Sequence, residues 1–121
     1  MVKFATVNVN GLINQYHQEN LTNAILKGNF DVIGVQEINT NMYELPVGYE
    51  KIVNLGDPVE NRRPRGTMIL HRNGMTLGAV RKSADGRIIR AEFMDMTVVY
   101  LWTCQGGRER RHGNARRTSV T

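Results

Sequence analysis

Asn8 and Glu37 are the residues of this chain best suited to carry chemistry. Each closes an apolar run: Asn8 follows Phe4–Val7, and Glu37 comes soon after Val32–Val35. An amide and a carboxylate together suit a hard cation, Mg2+ with Mn2+ as the alternative. Such an ion takes one or two protein carboxylates and fills its remaining positions with water and phosphate oxygens. The pair therefore outlines a site for phosphate chemistry. Between the two runs lies a stretch long enough for one helix. Strand, crossover helix and parallel strand follow, a connection that is almost always right-handed. Asn8 and Glu37 then stand at the carboxyl ends of neighbouring strands, where open α/β sheets build their sites.

The elements that position them can be read from patterning and turn chemistry. A first strand spans about Val2–Val9, and Asn10-Gly11 turns the chain. His17–Lys27 reads as a helix, with Leu21, Ala24 and Ile25 on one face, Glu19 near its start and Gly28 as its stop. Asp31–Gln36 is a near-continuous apolar run, as expected of a buried parallel strand. Asn39–Gly48 reads as a loop, Tyr49–Leu55 as a strand, and Gly56–Arg65 as a second loop. Four hairpin-like segments follow: Thr67–Arg72, Met75–Lys82, Arg87–Phe93 and Thr97–Trp102. Asn73-Gly74 and Asp85-Gly86 supply the clearest turns. In the third segment Ile89, Ala91 and Phe93 face one way and Ile88, Arg90 and Glu92 the other. A βαβ start followed by antiparallel strands implies a mixed sheet, an α/β fold of the α+β kind.

Charge separates the chain into two parts. The net charge is +5 over 121 residues, but residues 106–121 hold five arginines and one acid, while residues 1–105 hold eleven bases and ten acids. The expected division is a nearly neutral domain over 1–104 and a basic, disordered tail over 105–121. Such a tail reads first as a solvated end, although a stripe of arginines can also hold phosphates without sequence preference. The opening MVKFATVNV is too short and polar for a secretory signal, and no apolar run is long enough to span a membrane. With the lone Cys104, this points to an intracellular protein, nuclear or cytoplasmic.

FATVNVNGL, VIGVQE, RGTMILHRNGMTL, GRIIRAEF and MTVVYL, in that order over Val2–Tyr100, resemble the opening half of an endonuclease/exonuclease/phosphatase domain. The likeness is greatest to the apurinic-endonuclease-like domain of non-LTR (LINE-type) retrotransposons, which accompanies a reverse transcriptase. That resemblance implies the N-terminal half of a four-layer α/β sandwich. It implies Glu37 as the metal-holding carboxylate and Asn8 as the asparagine that helps place metal and scissile phosphate. Tyr100 is expected to approach the phosphate, although the proline of the family's tyrosine–x–proline sequence is missing from Tyr100-Leu101-Trp102. Asn10 stands where apurinic endonucleases tend to have aspartate and retrotransposon relatives asparagine. Asn10 and the loop arginines Arg62, Arg63 and Arg65 are the expected DNA contacts. Phosphate contacts of that kind add affinity rather than specificity.

Other polar residues are set aside on the same grounds. His71 alternates with Ile69 on a strand and matches no catalytic histidine of the family, and His17 and His112 fit no better. Cys104 lies in no thiol-enzyme motif, and Gly28–Asp31 has the wrong residue order for the family's Gly-Asp-x-Asn. Neither that motif nor the family's C-terminal Ser-Asp-His occurs here. The second sheet and its outer helix are not expected from so short a chain, which would leave a broad apolar sheet face exposed. The expectation is thus a truncated, inactive N-terminal part of a Mg2+-dependent, DNA-nicking phosphodiesterase. The alternatives are a non-catalytic nucleic-acid-binding module using the arginines, or a phosphatase branch of the same superfamily.

Overall fold

A computed structural model describes residues 2–57, 65–94, 96–103 and 114–120, with backbone only for 102–103 and 114–120. Strand β1 (Phe4–Asn8), helix α1 (Gln15–Gly28) and strand β2 (Val32–Gln36) form the expected crossover. β1 and β2 are parallel, in register from Phe4 opposite Val32 to Asn8 opposite Gln36. β3 (Tyr49–Asn54) and β4 (Thr67–Arg72) add to this sheet in the order β1-β2-β4-β3, with β4 antiparallel to both neighbours. The sheet is mixed, as the patterning implies.

Helix α1 begins where the Asn14 side chain accepts the Tyr16 amide. It ends at Asn29, whose φ of 54° turns the chain left-handed and whose amide closes on the Ile25 carbonyl. Asn29, not Gly28, is thus the stop. Gly28 is needed for a different reason: a Cβ there would lie 2.1 Å from the Phe30 ring. Leu21 and Ile25 are buried against the sheet, while Ala24 is exposed.

A second sheet stands behind the first, contrary to the expectation from chain length. Strands β5 (Leu77–Lys82), β6 (Ile88–Phe93), β7 (Met96–Thr103) and β8 (Asn114–Val120) form an antiparallel sheet in that order. β8 lies in the basic tail, where no regular structure was anticipated. Without β8, β7 would be an edge strand, and the unpaired backbone groups of an edge are a template for any extended segment regardless of its side chains. The expected exposed apolar face is covered too. Val32, Ile52 and Ile69 of the first sheet pack on Ile89, Ala91, Phe93, Val98 and Tyr100 of the second. On the other face, Ile33, Val35, Met68 and Leu70 pack under Leu21 and Ile25 of α1. The described residues thus form three layers: helix, sheet, sheet.

The two turn signals have different outcomes. Asp85-Gly86 closes a true hairpin between β5 and β6, with Gly86 at φ 78°. Asn73-Gly74 does not, because β4 and β5 belong to different sheets. It forms a corner, with the Met75 amide on the Arg72 carbonyl, that carries the chain from one layer to the other. Among the described residues no helix is long and apolar enough to cross a membrane.

Candidate functional site

The site is made where β1 and β2 end together. Asn8 is the direct neighbour of Gln36, and Glu37 is the next residue of β2's chain. The loop after β1 folds over this end: the Gly11 amide donates to the Glu37 carbonyl at 2.7 Å, and the Leu12 amide to the Ile38 carbonyl at 2.9 Å. From the other side the Glu37 amide donates to the Gly66 carbonyl at 2.9 Å, just before β4. Held by both segments, Glu37 adopts φ 60°, with Asn10 at 51° and Asn39 at 58° beside it in the chain's turns. A left-handed conformation costs a non-glycine residue about 1–2 kcal/mol, and such strain collects at functional sites. Here it breaks the alternation of β2 between the two cores immediately after the buried Gln36.

The Glu37 side chain is 12% exposed and is met on both oxygens. Asn8 Nδ2 donates to Oε2 at 3.1 Å, and Arg65 Nη1 lies 3.6 Å from Oε1. Asn8 Oδ1 accepts the Asn10 amide at 3.0 Å, which fixes which end of the Asn8 amide faces the carboxylate. In this arrangement Asn8 orients Glu37 by donating a hydrogen, rather than offering its own oxygen as a ligand.

The sequence candidates separate in space. Asn8, Asn10, Glu37 and Arg65 come together. Arg65, an expected DNA contact, lies as counter-ion beside Glu37. Arg62 and Arg63 lie outside the described residues, as do His112 and Cys104. Tyr100 does not join the cluster. It is 3% exposed, its hydroxyl donates to the Ala5 carbonyl at 2.8 Å, and its ring packs on Gly34, where a Cβ would come within 2.1 Å. Ala5 precedes Asn8 by three strand residues, roughly 10 Å along β1. The reason is alternation on β7: Val98 and Tyr100 point into the inter-sheet core.

The histidines set aside from sequence hold structural places. His71 is fully buried edge-on to Phe93, with Nδ1 on the Arg72 carbonyl and Nε2 3.8 Å from Glu50. His17 Nδ1 meets the Gly11 carbonyl and steadies the loop over the site. Sequence reading missed Gln36, Asn39 and Gly66. Gln36 carried a signal, a polar side chain ending an apolar run that is buried on both faces.

The donor set fits one kind of cation. Among the described residues no three or more His, Cys, Asp or Glu side chains are grouped so that they could hold a metal ion. One partly exposed carboxylate with a neutral amide beside it suits a hard ion that keeps most of its waters.

No protein-family model matches the chain, and no curated protein matches it. Among solved structures it is similar to an AP endonuclease from Archaeoglobus fulgidus, with a TM-score of 0.62 and 20% identity. The match covers 82% of this chain and 40% of that one. The chain therefore has the mixed α/β fold of that endonuclease over most of its own length, and spans less than half the length of that chain.

Proposed function

We propose that this chain is the N-terminal part of a divalent-cation-dependent phosphodiester hydrolase acting on DNA, of the kind found in non-LTR retrotransposons. One observation carries the reading: a strained, partly exposed Glu37 oriented by Asn8 at the carboxyl ends of two parallel strands, in a fold shared with an AP endonuclease. When bound, Mg2+ would supply charge neutralisation to the phosphate and the departing oxygen. Glu37 would hold the ion, and Asn8 would fix the carboxylate's direction. Arg65 would exchange the carboxylate for a phosphate oxygen, a geometry its guanidinium suits. Asn10, exposed on the turn above, would lie along the DNA strand.

Hydrolysis also needs a group to activate the attacking water. Among the described residues Glu37 is the only carboxylate of the cluster, and it is committed to the ion. The chain by itself should therefore bind the cation and fail to cut. Titration with Mn2+ followed by electron paramagnetic resonance should show one site that is lost in Glu37→Gln. Supercoiled plasmid should stay uncut in Mg2+. Equal Mn2+ binding by wild type and Glu37→Gln would sink the site; Mg2+-dependent nicking that Glu37→Gln abolishes would overturn the expected inactivity.

A further inference from the structure

A row of polar side chains crosses the whole first sheet at the level of the site. Asn8, Gln36, Thr67 and Asn54 are successive cross-strand neighbours on β1, β2, β4 and β3. Directly paired residues share a face of a sheet, here the face towards the second sheet. One end of the row is fastened to the β5–β6 hairpin. Thr67 Oγ1 donates to the Gly86 carbonyl at 2.8 Å, and Asn54 Nδ2 to the Ser83 and Ile88 carbonyls at 3.0 Å each. At the other end Asn8 holds Glu37.

Gln36 stands between these ends, fully buried. Its Nε2 donates to Thr6 Oγ1 at 3.0 Å, and its Oε1 has no hydrogen-bond partner among the described residues. An unpaired buried acceptor is destabilising, and a methionine would fill similar space without that penalty. The amide does something methionine could not: it ties β1, two residues before Asn8, to β2, one residue before Glu37. It thereby adds a side-chain brace to the backbone ladder at the strand ends, where Asn8 reaches the carboxylate.

We propose that Gln36 is a positioning residue for the Asn8–Glu37 pair, an inference that rests on the cation-site reading above. Its Nε2–H braces the end of β1 against β2, in addition to the backbone ladder, and so keeps Asn8 within reach of the Glu37 carboxylate.

The test follows the Asn8 side-chain amide by NMR in wild type and Gln36→Met, first without metal and then through a Mg2+ titration. In Gln36→Met the metal-free hydrogen exchange of that amide should be about fivefold faster and Mg2+ affinity about fivefold weaker, a change of one hydrogen bond's size. The thermal midpoint should be unchanged or higher. Exchange and affinity both equal to wild type would overturn the proposal and leave Gln36 a packing residue. If wild type shows no Mg2+ response, the cation-site reading fails while metal-free exchange still decides the role of Gln36. Should Gln36→Met not fold, Thr6→Val on exposed β1 removes the same tie and carries the same expectation.

Discussion

At the scale of single residues, the feature that sets this site apart is that Glu37 already has a cation. The Arg65 guanidinium lies 3.6 Å from its carboxylate with a side chain 54% exposed. An ion pair that open to solvent is worth at most about 1 kcal/mol, so a divalent ion at the proposed site would displace it. Arg65→Ala should therefore strengthen Mn2+ binding roughly two- to fivefold by removing a competitor, as read by the same resonance titration. Weaker binding in that variant would mean that Arg65 supports the ion's place rather than holding it. Asn8 and Asn10 act as a unit with it, since the Asn10 amide locks the Asn8 side chain in the orientation that faces Glu37.

At the scale of elements, two junctions hold the site in place. The first is the close approach of β2 to β7 at Gly34, where Tyr100 lies flat against the backbone. Gly34→Ala would drive a methyl into that ring and should cost about 3 kcal/mol in denaturant unfolding. A second change, Tyr100→Leu, should recover part of the loss, because the two residues share one contact; additive losses would place the strain elsewhere. The second junction is the β5–β6 hairpin. Burial pushes the Asp85 carboxyl up, but the Ser83 hydroxyl, the Arg87 amide and the Arg87 charge outweigh it and hold it below the ordinary carboxylate value. A carboxyl lowered by folding adds stability above its unfolded pKa and loses that stability as pH falls through the folded pKa. Asp85→Asn should thus lower the thermal midpoint slightly at pH 7 and leave it unchanged near pH 2. The effect is small because Asp85 is exposed. An equal shift at both pH values would assign the loss to hydrogen bonding alone.

At the scale of the whole molecule, the first sheet belongs to both cores. Its helix-facing side packs Ile33, Val35, Met68 and Leu70, and its other side packs Val32, Ile52 and Ile69. Neither core survives without it, so the helix and the second sheet should be lost in one cooperative transition. Far-ultraviolet circular dichroism and tyrosine absorbance should give one midpoint, since Tyr43 and Tyr49 report on one core and Tyr100 on the other. Separate midpoints would show two independently stable layers. The same sheet explains why the fold and the site are one problem: Asn8, Gln36 and Glu37 are its carboxyl ends.

The sequence by itself determined the local elements and pointed to the two residues on which the proposed site rests. Apolar runs, alternation, helical spacing and turn chemistry placed seven of the strands and the helix to within a few residues, because those signals are carried by neighbours in the chain. The abrupt polar ends of two apolar runs singled out Asn8 and Glu37. Tertiary structure decided what depends on contacts between distant segments. It put β4 and β5 in different sheets despite an Asn-Gly turn, paired β8 with β7, turned Tyr100 inward onto Ala5 and Gly34, and laid Arg65 on Glu37. The row Asn8–Gln36–Thr67–Asn54 exists only through register. The physical reason is common to all of these: local propensity fixes a segment's shape and inward face, but its partner is chosen by whichever distant backbone edge or apolar surface the closed fold brings to it.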